Sequence, residues 1–171
     1  MDLQLNGKVA LVTAASRGLG FAVADCLARE GARVIMSSRT DDVHKAAARI
    51  TGRGVHTPLA FQGDLTRSKD IDFLVSQTMD YAGRIDILFI NAGGPAPGRF
   101  MDLEESQWLD AVNLTIMSAV RLCRAVVPIM ITQGEGSIVA SQSISVKQPV
   151  DNLTLSNALR PAVVGMTKSL A

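Results

Sequence analysis

The sequence is poor in aromatic residues, cysteine and histidine, and it carries no excess of either charge. Its 171 residues include two cysteines, two histidines, one tryptophan and one tyrosine. Two cysteines are too few for a disulfide framework. Cys26 and Cys123 each lie within an apolar run, which predicts reduced thiols in the core. His44 and His56 are not at ligand spacing and have no cysteine or carboxylate cluster beside them, so no metal site is predicted. With 17 Lys+Arg against 16 Asp+Glu, the net charge is +1, which argues against a dedicated nucleic-acid binder. No apolar run approaches the roughly 18 residues that a membrane span needs. The start, Met1 to Lys8, lacks the basic and apolar stretches of a secretory signal. These absences predict a cytoplasmic chain with no membrane or nucleic-acid partner.

What is present argues for a packed core. Hydrophobic residues make up 47% of the chain and charged residues 19%, which excludes a disordered polymer. The length predicts a single domain over residues 1–171. Short apolar runs at Val9–Val12, Val34–Met36, Leu59–Phe61, Ile87–Ile90 and Ile138–Ala140 read as five strands buried on both faces. Helix-period segments lie between them. Their predicted core positions are Val23, Cys26 and Leu27, then Val43, Ala46, Ala47 and Ile50, then Ile71, Leu74, Val75 and Thr78. A longer helix is predicted over 106–131, with Leu109, Val112, Ile116, Ala119, Val120, Cys123 and Val127 on one stripe. Pro128 should bend or end it. A last helix is predicted over 152–171. Such alternation predicts an α/β fold with an open parallel sheet covered on both faces. Ligands of such sheets sit beyond the carboxyl ends of the strands.

After the first strand comes Thr13-Ala14-Ala15-Ser16-Arg17-Gly18-Leu19-Gly20, leading straight into a helix. A glycine-rich turn in this position lets backbone N–H groups and the helix dipole meet a pyrophosphate. Asn91-Ala92-Gly93 follows the fourth strand and Asp64-Leu65 follows the third. Together these motifs resemble the short-chain dehydrogenase/reductase family, and most nearly its 3-oxoacyl-carrier-protein-reductase-like branch. The resemblance implies a Rossmann-type doubly wound sheet of strand order 3-2-1-4-5, ending before the family's last strands. It also implies cofactor contacts from Thr13, Ser16, Arg17, Gly18, Leu19, Gly20, Ser38, Arg39, Asp64, Leu65, Asn91, Ala92 and Gly93, with Asp64 beside the adenine ring. Ala14 departs from the family's first glycine. If φ is positive there, alanine costs roughly 1 kcal/mol.

Charge suggests which dinucleotide is held. An NAD site usually presents an acidic side chain at the end of the second strand, to accept from the ribose 2′-OH. Here no acidic residue lies between Glu30 and Asp41, and that strand ends Ser37-Ser38-Arg39. Arg17 and Arg39 can instead clamp a 2′-phosphate, which predicts NADP, with NADPH preferred over NADH. The alternative is that both arginines are merely solvated.

The catalytic end departs from the family. The resemblance implies catalytic roles for Asn113 and Ser143, and it sets Ser156 and Arg160 where the family has Tyr and Lys. Arg160 could still bond ribose hydroxyls. A serine hydroxyl is a far weaker acid than a phenol and reaches less far. The lone Tyr81 lies before the fourth strand and cannot substitute. Lys147, four residues past Ser143, is a conceivable replacement acid if it is desolvated. The expected function is NADP(H)-dependent reduction of a small-molecule carbonyl, a 3-oxoacyl group or related ketone, with atypical acid catalysis. The alternatives are a nucleotide-binding sensor or partner subunit that has lost turnover, or an inactive fragment. The family also implies a homodimer or homotetramer.

Overall fold

A computed structural model describes residues 3–52, 54 and 56–171. Five strands form one parallel sheet: β1 (Val9–Val12), β2 (Arg33–Ser38), β3 (Leu59–Gln62), β4 (Ile87–Ile90) and β5 (Ser137–Ala140). Their order is β3-β2-β1-β4-β5, the expected Rossmann-type arrangement. Val9 pairs with Arg33, Ala10 with Ile87, Ile35 with Leu59, and Ile87 with Ser137.

The helices are α1 (Gly18–Arg29), α2 (Asp42–Ile50), α3 (Ser68–Ala82), α4 (Glu105–Val112), α5 (Ser118–Gln133) and α6 (Thr154–Leu170). Alternate strand residues select the two faces. Ala10, Val12, Val34 and Met36 pack against α1 and α2. Val9, Leu11, Ile35 and Leu88 pack against α3 and α5, with Val163 of α6. Fully burying one of the larger side chains, such as Leu11 or Ile35, stabilises the fold by about 1.5–3 kcal/mol. The edge strands differ from expectation: β3 and β5 are only partly covered, and Val139 is 52% exposed. An edge strand has a neighbour on one side only, so less of it is sheltered.

Two helix faces also need correction. In α1 the buried residues are Gly20, Ala24 and Ala28, and Cys26 is exposed, not in the core. Small residues face the sheet because the helix lies close to it, and the larger Val23 and Leu27 flank that contact. Cys123 is buried as expected, and burial pushes its thiol pKa up. The long helix is interrupted by a π-turn over Asn113–Met117. This turn adds a residue to the repeat and rotates the buried face. The buried set becomes Ala111, Thr115, Ser118, Ala119, Leu122, Cys123, Val126 and Met130, and Leu109 is exposed. Pro128 lies inside α5, which continues to Gln133.

By length and composition alone, 105–133 could cross a membrane, with mean hydropathy 1.8 over its most apolar window. Averaging spreads the charges of Arg121 and Arg124 over many apolar neighbours, so a helix can pass this test without an unbroken apolar run. Here its buried side chains fill the core.

Candidate active site

The strands end in a cleft of about 790 Å³ at their carboxyl side. The turn after β1 builds its floor. Ala14 has φ +48° and Gly18 φ +58°, so the alanine does occupy a left-handed position. A Cβ on Gly20 would stand 2.4 Å from the Ala14 carbonyl oxygen, which makes glycine obligatory there. The hydroxyl of Thr13 is fully buried and joins β1 to β4. It donates to the Asn91 carbonyl at 2.8 Å and accepts from the Asn91 N–H at 2.9 Å. The Asn91 side-chain amide donates to the Ala14 carbonyl. Thr13 and Gly20 therefore shape the turn.

Ser16, Arg17, Ser38, Arg39, Asp64, Leu65, Asn91, Ala92 and Gly93 line the cleft. Gly18 and Leu19 open α1, whose N-cap Arg17 makes no side-chain cap bond. The first N–H groups of α1 thus remain available to an anion. A Cβ on Gly18, Gly93 or Gly94 would meet nothing within 4 Å, so open space borders these backbones. Free helix donors, bare glycine backbone and a basic rim fit a dinucleotide diphosphate.

Several lining residues escaped sequence reasoning. Lys45 and Arg49 of α2 join Arg17 and Arg39 at the β2 end of the cleft, with Thr40, Gly63 and Leu114. Lys45 pairs loosely with Asp42 at 3.8 Å, and the Arg49 guanidinium lies 4.4 Å over the Phe21 ring. The i, i+4 spacing of Lys45 and Arg49 on a polar helix face was the available signal. Asp64 accepts from the Thr66 N–H and hydroxyl at 2.9 and 2.8 Å. Burial alone would raise its pKa, but the Thr66 bonds and the charges of Arg39 and Arg67 hold it below the usual carboxylate range. It stays ionised, an acceptor at the β3 end of the cleft.

Asn113, Ser143, Ser156 and Arg160 lie outside the lining of this cleft, on the side of β5 and α6. The Asn113 side-chain oxygen accepts from Arg121 at 2.7 Å, and Arg121 also donates to the Thr66 carbonyl. Thr115, in the same π-turn, is buried, and its hydroxyl has no partner among the described residues. Ser143 is half-buried and accepts from the Ser145 N–H at 3.2 Å, capping a 3₁₀ turn over Ile144–Val146. Ser156 is 7% exposed. Its oxygen accepts from Arg160 Nε at 3.1 Å and lies 3.0 Å from the Ser145 hydroxyl. Burial lowers the pKa of Arg160, yet a guanidinium starts so high that it stays charged. Lys147 is exposed, so the burial that its role as a replacement acid called for is not there. Tyr81 lies on α3, with the Arg33 guanidinium 4.7 Å over its ring. No group of three or more His, Cys, Asp or Glu suited to a metal occurs among the described residues.

Comparison with known proteins agrees with this geometry. The chain is 38% identical over 172 residues to dehydrogenase/reductase SDR family member 4 of Bos taurus, covering 98% of this chain and 60% of that protein. It therefore spans less than two thirds of the length of that relative. The structure of L-sorbose reductase from Gluconobacter frateurii, complexed with NADPH and L-sorbose, superposes with a TM-score of 0.95. Identity to it is 32%, over 99% of this chain and 65% of that one. An actinorhodin polyketide ketoreductase with NADPH superposes with a TM-score of 0.91 at 31% identity, over 96% and 64% of the two chains. The sequence profile for short chain dehydrogenase matches residues 8–171, and the chain belongs to that family of oxidoreductases.

Proposed function

We propose that this chain is an NADP(H)-dependent carbonyl oxidoreductase of the 3-oxoacyl-reductase-like branch, with its proton-donating step weakened. The observation that carries the cofactor choice is the basic rim. Arg17, Arg39, Lys45 and Arg49 line the β2 end of the cleft, where Asp42 is held by Lys45 and Thr40. Guanidinium groups match phosphate oxygens in geometry and charge. That neighbours are crystallised with NADPH supports the same reading.

In this reading Ser16, Arg17, Gly18 and Leu19 hold the diphosphate, Ser38 and Arg39 the adenosine ribose phosphate, and Asp64 and Leu65 border the adenine. Asn91, Ala92 and Gly93 line the path toward the nicotinamide. Bound NADPH would supply the hydride. The Ser143 hydroxyl orients a ketone oxygen, and Asn113 acts with Arg121 as a positioning pair beside the π-turn. Ser156 is buried against Ser145 and Arg160, so its hydroxyl is poorly placed to protonate an alkoxide. A missing general acid slows such a step by about 10²–10⁴-fold. The substrate in this reading is a 3-oxoacyl group or related ketone, and similarity to a polyketide ketoreductase supports a ketone.

The closed Ser145, Ser156 and Arg160 cluster also favours a second reading, a nucleotide-binding protein that has lost turnover. We further propose a homodimer or homotetramer through the long helix (α4 and α5) and α6; in the former Leu109 is exposed and Val112, Ile116 and Val120 are half-buried. A monomer in sedimentation at micromolar concentration would contradict the assembly. Fluorescence titration tests the cofactor. NADPH should bind about tenfold or more tightly than NADH, and equal affinity would overturn the choice.

A further inference from the structure

The lining of the cleft has three hydroxyls, and the two at its β2 end are already bonded within the protein. Ser38 Oγ donates to the Thr40 carbonyl at 3.1 Å and accepts from the Thr40 N–H at 3.2 Å. The Thr40 hydroxyl donates to Asp42 at 3.2 Å. The third hydroxyl, on Ser16, belongs to the turn after β1. Short side chains fixed by the backbone are the groups that register which ribose oxygen bears a phosphate, and here they are occupied. The rest of the rim is charge on long arms. Arg17, Arg39, Lys45 and Arg49 are all exposed. Lys45 is held by its loose pair with Asp42 at 3.8 Å, and Arg49 by the face of the Phe21 ring.

Four cations against the carboxylates of Asp42 and Asp64 leave two positive charges in the lining. A phosphate monoester carries close to two negative charges at pH 7. This match is one of charge, and it holds whichever ribose oxygen is esterified. A site separates two isomers by a fixed contact to one or a clash with the other. Exposed cations on flexible stems can follow a phosphate from the 2′ to the adjacent 3′ oxygen, and a cleft of about 790 Å³ leaves room for the shift. We propose that the cleft accepts adenosine phosphorylated at either oxygen, so that coenzyme A, whose nucleotide half is 3′-phosphoadenosine 5′-diphosphate, competes with NADPH. This rests on the NADP(H) reading above and adds regulation to it, since a thioester carrier then occupies the adenosine end of the cofactor site.

The test is displacement of NADPH from the unaltered chain, followed by its fluorescence. The competitors are adenosine 2′,5′-bisphosphate, adenosine 3′,5′-bisphosphate, adenosine 5′-phosphate and coenzyme A. The two bisphosphates should bind within about fivefold of each other, and each more than about fivefold tighter than the 5′-phosphate. Coenzyme A should displace NADPH about as well as the 3′,5′-bisphosphate. In Lys45→Gln with Arg49→Gln, both bisphosphates should weaken together by about tenfold. The 5′-phosphate should stay within about twofold in that variant, which reports an intact cleft. A preference for the 2′ isomer beyond about fivefold overturns the proposal, as does a 3′ isomer that binds no tighter than the 5′-phosphate. Coenzyme A that leaves NADPH bound, or loss of one isomer alone in the variant, also overturns it. An unaltered protein that prefers NADPH to NADH but rejects the 3′-phosphate defeats the inference alone. One that binds the two dinucleotides equally defeats the cofactor reading and the inference with it.

Discussion

The two sides of the sheet's carboxyl end are built from different materials. Around β1 and α1 the groups that face a diphosphate are mostly backbone, with bare glycines and free helix N–H groups. Around β5 and α6 the polar groups are side chains that bond to one another: Arg160 to Ser156, and Ser156 to Ser145. Every residue type except proline carries the same backbone donor, so a backbone-built site tolerates the change from glycine to Ala14 at a cost of roughly 1 kcal/mol. Proton transfer has no such tolerance, because one hydroxyl must have the right acidity at the right point.

The comparison would be broken most severely at Gly20. Gly20→Ala sets a methyl 2.4 Å from the Ala14 carbonyl oxygen. The turn must shift, lowering stability by about 1–3 kcal/mol and NADPH affinity by about 10²-fold. Calorimetry and titration measure the two effects, and unchanged affinity would show that the turn does not hold the diphosphate.

The opposite end of the sheet provides a control for stability without binding. Asp86 is buried and accepts from the Val9 N–H at 2.8 Å and from Arg84 Nε at 3.0 Å, while Glu135 bridges Lys8 and Arg84. Asp86→Ala leaves the Val9 N–H without its acceptor, at about 2–3 kcal/mol. Arg84 and Lys8 are partly exposed and can turn to water, which limits the loss. NADPH affinity should not change. Burial alone would raise the Asp86 pKa, but the hydrogen bonds from Arg84 and Val9 and the nearby charges lower it. A carboxylate with a lowered folded pKa adds stability above its unfolded value of about 4 and loses it as pH falls through the folded value. Acid denaturation should therefore steepen below about pH 4 in the original and flatten in Asp86→Asn. Equal acid curves would remove Asp86 from the account.

A smaller change sharpens the cofactor choice. Arg39→Asp reverses one charge at the β2 end and should weaken NADPH about tenfold while sparing NADH. Parallel losses for both dinucleotides would count against a 2′-phosphate clamp.

How much of this was legible in the sequence follows from the same contrast. The five strands and the glycine turn are local patterns, and they stand where their residues predicted. Val43, Ala46, Ala47 and Ile50 all face the core as their spacing implied. The face of α1 was misjudged because close approach to the sheet selects Ala24 and Ala28 over larger neighbours. A single helical period cannot describe the long helix, because the π-turn over Asn113–Met117 rotates its buried face. The i, i+4 spacing of Lys45 and Arg49 shows that they share a helix face, but which site that face borders depends on packing between elements distant in sequence.

The most direct test of the central claim joins binding to chemistry in one fluorescence trace. NADPH is added to the unaltered protein until its emission saturates, and then a β-keto thioester is added. A binding signal should be followed by decay at least about 10²-fold slower than in a Tyr-containing relative. Ser156→Tyr with Arg160→Lys should speed the decay more than it changes the binding signal. No binding signal, or fast decay in the unaltered protein, would contradict the central claim.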